Sequence, residues 1–149
     1  MRKLGRLLAI DYGRRRCGIA VTDPLRISAI GLCTVPADGL QKWLADYFAR
    51  ETVDAVVVGL PLNTDGTPSD CQRWLMPALG RLRKAFPAMT FELYDERFTS
   101  VLAHRAMIDA GMKRSKRREK TGNTDSLAAC IILNDYLSSL EWKRSHSDS

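Results

Sequence analysis

Four carboxylates are the residues best placed to do chemistry in this sequence of 149 residues. Asp11 ends an unbroken apolar run, Asp95 and Glu96 end a second strand-like segment, and Asp125 opens an apolar helical segment. A carboxylate at the end of a buried strand is costly to bury alone, so it must be paired, hydrogen-bonded or bound to a metal. Carboxylates from strand ends and a helix start can meet in space although they are far apart in sequence.

The spacing around Asp125 predicts which way that residue faces. Ala128, Ala129 and Ile132 follow it on the same helical face, and alanines one turn along let a helix approach a sheet closely. Acids held together repel one another unless a cation lies between them. Oxygen ligands without His or Cys suit Mg²⁺ or Mn²⁺, and such a cluster supports phosphodiester hydrolysis. The alternative is that Asp125 only interacts favourably with the helix dipole.

The elements that must position these acids follow from the apolar periodicity. Three closely spaced runs predict an antiparallel meander, and strands that alternate with helices after it predict parallel crossovers. The order β-β-β-α-β-α-β-α-α therefore predicts an α/β fold, with a mixed five-stranded sheet and helices on both faces. Pro77 predicts a kink or a split in the second helix. Strands are predicted over 5–11, 16–22, 28–35, 54–60 and 90–95, and helices over 40–48, from about 69 to 82, from 99 to 111 and over 124–140.

Composition narrows the class of protein. The length predicts one domain over 1–141, followed by a polar, disordered tail over 142–149. Four cysteines without a CxxC pair indicate buried thiols in a reducing compartment, so a cytoplasmic protein is expected. No apolar run approaches the roughly 20 residues that a membrane helix needs.

Charge favours an acidic partner. The formal net charge is +6, and the segment 113–120 carries six basic residues against one acid. Both features favour nucleic acid as the partner, although a solvated linker is the alternative for the basic segment.

Four blocks in order carry a family resemblance. They are 11–24, 58–67, 95–100 and 125–133, and the first reads Asp-Tyr-Gly-Arg-Arg-Arg-Cys-Gly-Ile-Ala-Val-Thr-Asp-Pro. Together they resemble the YqgF family of pre-16S ribosomal RNA nucleases, which is also described as Holliday-junction-resolvase-like. The resemblance implies a ribonuclease-H-like fold, in agreement with the element order.

The same resemblance implies roles for individual residues. Asp11, Glu96 and Asp125 would be the catalytic acids and the ligands of Mg²⁺ or Mn²⁺, and a fourth ligand has no clear counterpart here, which leaves one or two metals open. The implied activity is hydrolysis at the 5′ end of pre-16S rRNA, with precursor rRNA as the partner. Apart from the resemblance, a monomer or weak homodimer is expected. The expected nucleic-acid contacts are Arg15, Arg16, Arg97, Lys113, Arg114, Lys116, Arg117, Arg118 and Lys120, with Asn63 and Gly66 as a candidate substrate loop.

Three other functions remain open at this point. A branched-DNA resolvase would use the same site and the same chemistry. A non-catalytic RNA-binding protein would act through charge alone, although retention of all three acids argues against it. An actin-like ATPase fragment is suggested by the Asp-x-Gly hairpin, but the length counts against it, and the sequence has no GxxxxGK[ST] loop.

Overall fold

The computed structural model describes residues 5–60, 67, 69, 70, 72–96 and 123–146, with the side chains of 126–140 in the last range. Within these residues five strands and three α-helices follow one another in the predicted order, and a 3-10 turn over Ala37–Gly39 precedes the first helix. The strands are β1 Arg6–Tyr12, β2 Arg16–Thr22, β3 Ala29–Pro36, β4 Val53–Leu60 and β5 Thr90–Asp95, and the helices are α1 Leu40–Arg50, α2 Gln72–Ala85 and α3 Asn123–His146.

All five strands lie in one mixed sheet, in the order β3-β2-β1-β4-β5. The β1–β2 and β2–β3 pairs are antiparallel, whereas β4 pairs in parallel with both β1 and β5. This arrangement confirms the predicted meander on one side of β1 and parallel strands on the other. It also brings the carboxyl ends of β1, β4 and β5 to one edge of the sheet.

The two faces of the sheet carry different cores. Leu8 and Ile10 of β1 lie on one face, in a core with Leu44 of α1 and Leu79 of α2. Alternate residues of β1 lie on the other face, where a smaller core includes Ala128, Ala129, Ile132 and Leu133 of α3. Strand alternation therefore sends Leu7, Ala9 and Asp11 towards α3, and the helices cover both faces as predicted.

Three predictions about helices differ from the structure or lie outside it. The last helix continues to His146, past its predicted end at Leu140, so part of the expected disordered tail is helical. No Gly or Pro follows Leu140, and Lys143 and Arg144 suit the carboxyl end of a helix dipole, so nothing ends the helix there. Pro77 lies inside α2 without splitting it. The helix predicted from 99 to 111 lies outside the described residues.

Within the described part of the chain, no helix combines the length and the apolar character needed to cross a membrane.

Candidate active site

Asp11 lies at the carboxyl end of β1 and is only 9 % exposed. It pairs across the strands with Gly18 of β2, and a tight hairpin follows it. The Gly13 N–H donates a hydrogen bond to the Arg16 carbonyl oxygen at 3.0 Å, and a Cβ on Gly13 would lie 2.5 Å from that same oxygen. Only glycine fits this turn, so Gly13 closes the hairpin beside Asp11.

Glu96 follows β5 directly and is 2 % exposed. Its carboxylate lies over Gly59 of β4, because a Cβ on Gly59 would lie 2.7 Å from Glu96 Oε2 and 2.7 Å from Ile132 Cδ1. Gly59 therefore makes room for the carboxylate between the sheet and α3. The side chain of Glu96 lies on the α3 face, the same face as Asp11.

The strand register places these two acids beside each other along the edge. Ile10 pairs with Val58 in the parallel β1–β4 ladder, so Asp11 and Gly59 occupy the next positions on adjacent strands. The Glu96 carboxylate is thus held above the residue next to Asp11. Of the two acids that ended the predicted fifth strand, Glu96 is the one brought to Asp11. Asp95 belongs to β5 itself and pairs with Leu60.

The first turns of α3 approach the same face of the sheet. A Cβ on Gly31 of β3 would lie 3.3 Å from Ser126 Oγ, so the helix packs close to that strand. Ala128, Ala129 and Ile132 are at most 2 % exposed, which confirms that their shared face packs on the sheet. The backbone of Asp125 lies in the first turn of α3, next to the buried Ser126. The side chain of Asp125 lies outside the described residues, and its role remains a prediction.

The donor set suits a hard divalent cation. Two buried carboxylates on one face supply oxygen ligands, and burial of two negative charges is favourable only with compensating partners or a cation. Within the described residues, no group of three or more His, Cys, Asp or Glu side chains could hold a metal ion. A complete three-acid site therefore depends on Asp125.

The β1–β2 hairpin that follows Asp11 carries three consecutive arginines. Arg14, Arg15 and Arg16 are exposed, and the Arg14 guanidinium lies over the Trp74 ring of α2, 5.6 Å from its centroid. The Arg15 carbonyl accepts a hydrogen bond from the Ala37 N–H at 2.8 Å, which ties the hairpin to the turn before α1. The other predicted nucleic-acid contacts lie outside the described residues: Asn63, Gly66, Arg97, Lys113, Arg114, Lys116, Arg117, Arg118 and Lys120.

Sequence reasoning missed Gly59 as a site residue and passed over Tyr12. Glycine inside a strand of valines is the pattern that could have indicated a close approach at Gly59. Tyr12 follows Asp11 but faces the α1 and α2 side of the sheet, where it is half-buried beside Arg81. Burial raises the pKa of the Tyr12 phenol, and the nearby Cys17 adds to that shift, while Arg81 opposes it through its charge and a hydrogen bond.

The mixed five-stranded sheet, with an antiparallel meander, parallel strands and α3 across one face, has the architecture of a ribonuclease-H-like fold. Comparison with solved structures agrees with this class: the chain superposes on Thermus thermophilus RuvC, described as "T. thermophilus RuvC in complex with Holliday junction substrate", with a TM-score of 0.59. The match covers 92 % of this chain and 96 % of that one, at 16 % identity. The fold predicted from the sequence is thereby confirmed.

The family follows from the sequence comparisons. Residues 5–139 match the family model described as "RuvX: Holliday junction resolvase". Curated relatives that carry the name "Putative pre-16S rRNA nuclease" include one from Parabacteroides distasonis, 45 % identical over 94 % of this chain and 99 % of the relative. Another, from Porphyromonas gingivalis, is 46 % identical over 90 % of this chain and 96 % of the relative. The chain belongs to the RuvX family, as the resemblance of its four blocks predicted.

Proposed function

We propose that this chain is a metal-dependent nuclease that hydrolyses phosphodiester bonds at the 5′ end of pre-16S ribosomal RNA. The observation that carries the proposal is the Glu96 carboxylate, buried over Gly59 at the position next to Asp11. Buried acids at a sheet edge contribute little to stability and are expensive to keep. The names of the relatives support ribosomal RNA as the substrate.

Asp11, Glu96 and Asp125 would hold Mg²⁺ or Mn²⁺. When bound, such an ion supplies an activated water and stabilises charge on the leaving oxygen. The protein's own part is to keep the acids on a rigid edge. Strand β1 carries Asp11, Gly59 leaves space for Glu96, and the close approach of α3 screens the carboxylates from bulk water.

The RNA strand would be held by cations around this edge. Arg15 and Arg16 of the hairpin, with Arg97 and the segment 113–120, would contact phosphates and give affinity that falls steeply with salt. Such contacts position the strand without reading its bases. The proposal places the protein in the cytoplasm, with precursor rRNA as its partner.

The second candidate is cleavage of branched DNA at the same site. The family description names Holliday junctions, and the RuvC structure that this fold resembles holds such a junction. The chemistry at the acids would be identical, and only the shape of the bound nucleic acid would differ.

One experiment tests the proposal and separates the two candidates. Purified protein is incubated with a precursor 16S RNA fragment and with a four-way DNA junction, in Mg²⁺, in Mn²⁺ and in EDTA. Glu96→Gln, which removes the buried charge and keeps the shape, is the matched control. Metal-dependent cutting of the RNA, lost in Glu96→Gln, is the expected result. Cutting of the junction alone would favour the DNA candidate, and cutting of neither substrate would reject both.

A further inference from the structure

A cleft lies on the face of the sheet opposite the acids. Its volume is about 280 Å³, and it opens between the end of β1, the turn before α1, and the middle of α2. Tyr12, Asp38, Gln41 and Arg81 supply its polar groups, and Ala78 and Leu82 form part of its apolar lining. This volume is near the lower end for ligand pockets, so the cleft suits a small flat group rather than a duplex.

The polar groups of the cleft are arranged rather than scattered. Tyr12 and Arg81 line the cleft together, with the Arg81 guanidinium close to the Tyr12 hydroxyl. One and two turns earlier on the same face of α2, Ala78 lines the cleft and Trp74 stacks under Arg14. The Arg81–Tyr12 and Trp74–Arg14 contacts both join α2 to the end of β1 and the hairpin after it. The cleft wall and the hairpin beside Asp11 therefore form one connected surface.

The chemistry of the cleft matches a nucleobase better than a phosphate. An aromatic ring offers a stacking surface, Asp38 accepts hydrogen bonds from ring or exocyclic N–H groups, and Arg81 and Gln41 donate to ring nitrogens and carbonyls. A phosphate would be repelled by Asp38. Recognition of single-stranded RNA proceeds through stacked, splayed-out bases that are hydrogen-bonded on their edges.

The cleft and the acids lie at the same end of β1, on opposite faces of the sheet. Tyr12 is the residue after Asp11, so the two side chains leave the same strand end towards opposite faces. A strand of RNA that crosses this edge with one phosphate at the acids passes the mouth of the cleft within a few nucleotides.

We propose that this cleft binds the base of one unpaired nucleotide that flanks the scissile phosphate. The inference rests on the proposed nuclease function, to which it adds a subsite. It makes Arg81 and Gln41 binding residues and gives the enzyme a preference for a single-stranded segment beside the cut, a requirement that the acids alone cannot impose.

The test uses the full chain and an RNA hairpin with a single-stranded 5′ extension. Single abasic nucleotides are placed at each position of the extension, and the Kd is measured in EDTA, where no cutting occurs. Arg81→Gln and Gln41→Ala remove exposed cleft groups, so both variants should fold normally, and melting curves check this. Lys84→Gln is the matched control, because it removes an exposed charge from the same helix without lining the cleft.

The expected result is one position at which loss of the base weakens binding by the wild type about tenfold, the size of one lost stacking contact. Arg81→Gln and Gln41→Ala should weaken binding of intact RNA and lose sensitivity at that position, since the contacts are coupled. Lys84→Gln should behave as the wild type does.

Two outcomes overturn the proposal: no sensitive position in the wild type, or full sensitivity retained in both cleft variants. A parallel cleavage assay in Mn²⁺ separates the two claims. Base-sensitive binding without cutting would reject the nuclease and keep the subsite. Cutting without base sensitivity would reject the subsite alone.

Discussion

The two faces of the sheet are built from residues of different size. On the face towards α3 the strands carry Ala9, Ala20 and Gly59, and Ala128 and Ala129 of α3 pack against this face. Towards α1 and α2 the core is made of larger side chains, including Leu8, Ile10, Ile19, Leu44, Leu75, Leu79 and Phe91. Small residues let α3 approach the sheet closely, whereas the large ones fill a thicker layer.

The two faces therefore have different roles: the α3 face carries the candidate catalytic acids, and the α1 and α2 face carries most of the apolar core. We call the α3 face of the sheet the thin side and the α1 and α2 face the thick side. Asp11 and Glu96 are buried on the thin side, where Gly59 leaves space for a carboxylate. The thick side buries most of the aliphatic and aromatic volume and so supplies most of the hydrophobic stabilisation. Changes at the acids on the thin side should therefore act on cleavage, and truncation of buried apolar side chains on the thick side should act on the free energy of unfolding.

The largest effect is expected from Asp11→Asn. Removing a charged ligand from the thin side should lower the cleavage rate by more than about a hundredfold. The free energy of unfolding should stay the same or rise, because one repelling charge leaves a crowded edge. A Mn²⁺-dependent cleavage assay and a melting curve measure the two quantities. A variant that cuts normally would show that Asp11 only terminates the strand.

Gly59→Ala should have the next largest effect. Its Cβ would lie 2.7 Å from Glu96 Oε2, so the carboxylate must move away from the edge beside Asp11. Cleavage should fall about ten- to hundredfold, the loss typical of a misplaced ligand. Gly80→Ala is the matched control, because nothing lies within 4 Å of its Cβ position in α2. The control should keep full activity and gain up to about 1 kcal/mol in stability.

If both glycine variants retain full activity, the position of the Glu96 carboxylate is irrelevant to cleavage. If both variants lose activity equally, the loss is caused by impaired folding and not by displacement of the Glu96 carboxylate. Melting curves for the two variants, recorded with the cleavage rates, distinguish these results.

A smaller effect is expected from replacing residues 116–118, Lys-Arg-Arg, by alanine. These three residues are consecutive cations of the basic segment 113–120. Losing up to three phosphate contacts should lower the slope of log K against log salt by about 2–3 units. An equal loss of charge from the thick side, through Lys42, Arg73 and Lys84 replaced by alanine, should change the slope less. Equal slopes for the two triple variants would contradict direct contact between residues 116–118 and the RNA phosphates.

The smallest effect on cleavage is expected from Leu79→Ala on the thick side. Leu79 is 2 % exposed, so its truncation should cost about 2–5 kcal/mol of stability. Below the midpoint of unfolding, the cleavage rate should match that of the wild type. Denaturant unfolding and cleavage at low temperature test the separation. A large loss of cleavage in the folded variant would contradict the claim that the apolar core of the thick side affects stability and not cleavage.

Much of the fold could be predicted from the sequence because unbroken apolar runs and helical periodicity are local patterns. These patterns predicted the order of the elements along the chain, the mixed sheet, and the face of α3 that carries Ala128, Ala129 and Ile132. The end of α3 was misplaced because the polar residues after Leu140 were taken for a tail, although no residue there stops a helix.

The site was harder to predict because its contacts are not local. The choice between Asp95 and Glu96 depends on which face each side chain meets, and strand alternation from Tyr94, which packs with the α3 core, could have indicated Glu96. The packing of Glu96 on Gly59 joins residues from two parallel strands and required the tertiary structure. The contact of Tyr12 with Arg81 links β1 to α2 in the same way.

The central claim is that Asp125 completes a metal site with Asp11 and Glu96. The most direct test is a Mn²⁺ titration of the wild type, Asp125→Asn and Asp46→Asn, followed by electron paramagnetic resonance or calorimetry without RNA. Asparagine keeps the capping ability of Asp125 and removes its charge, and Asp46→Asn removes an exposed charge from α1 on the other face. Mn²⁺ binding should weaken at least about tenfold in Asp125→Asn alone, with its helix and melting temperature intact. Unchanged Mn²⁺ affinity in Asp125→Asn would make Asp125 a helix cap and contradict the three-acid site.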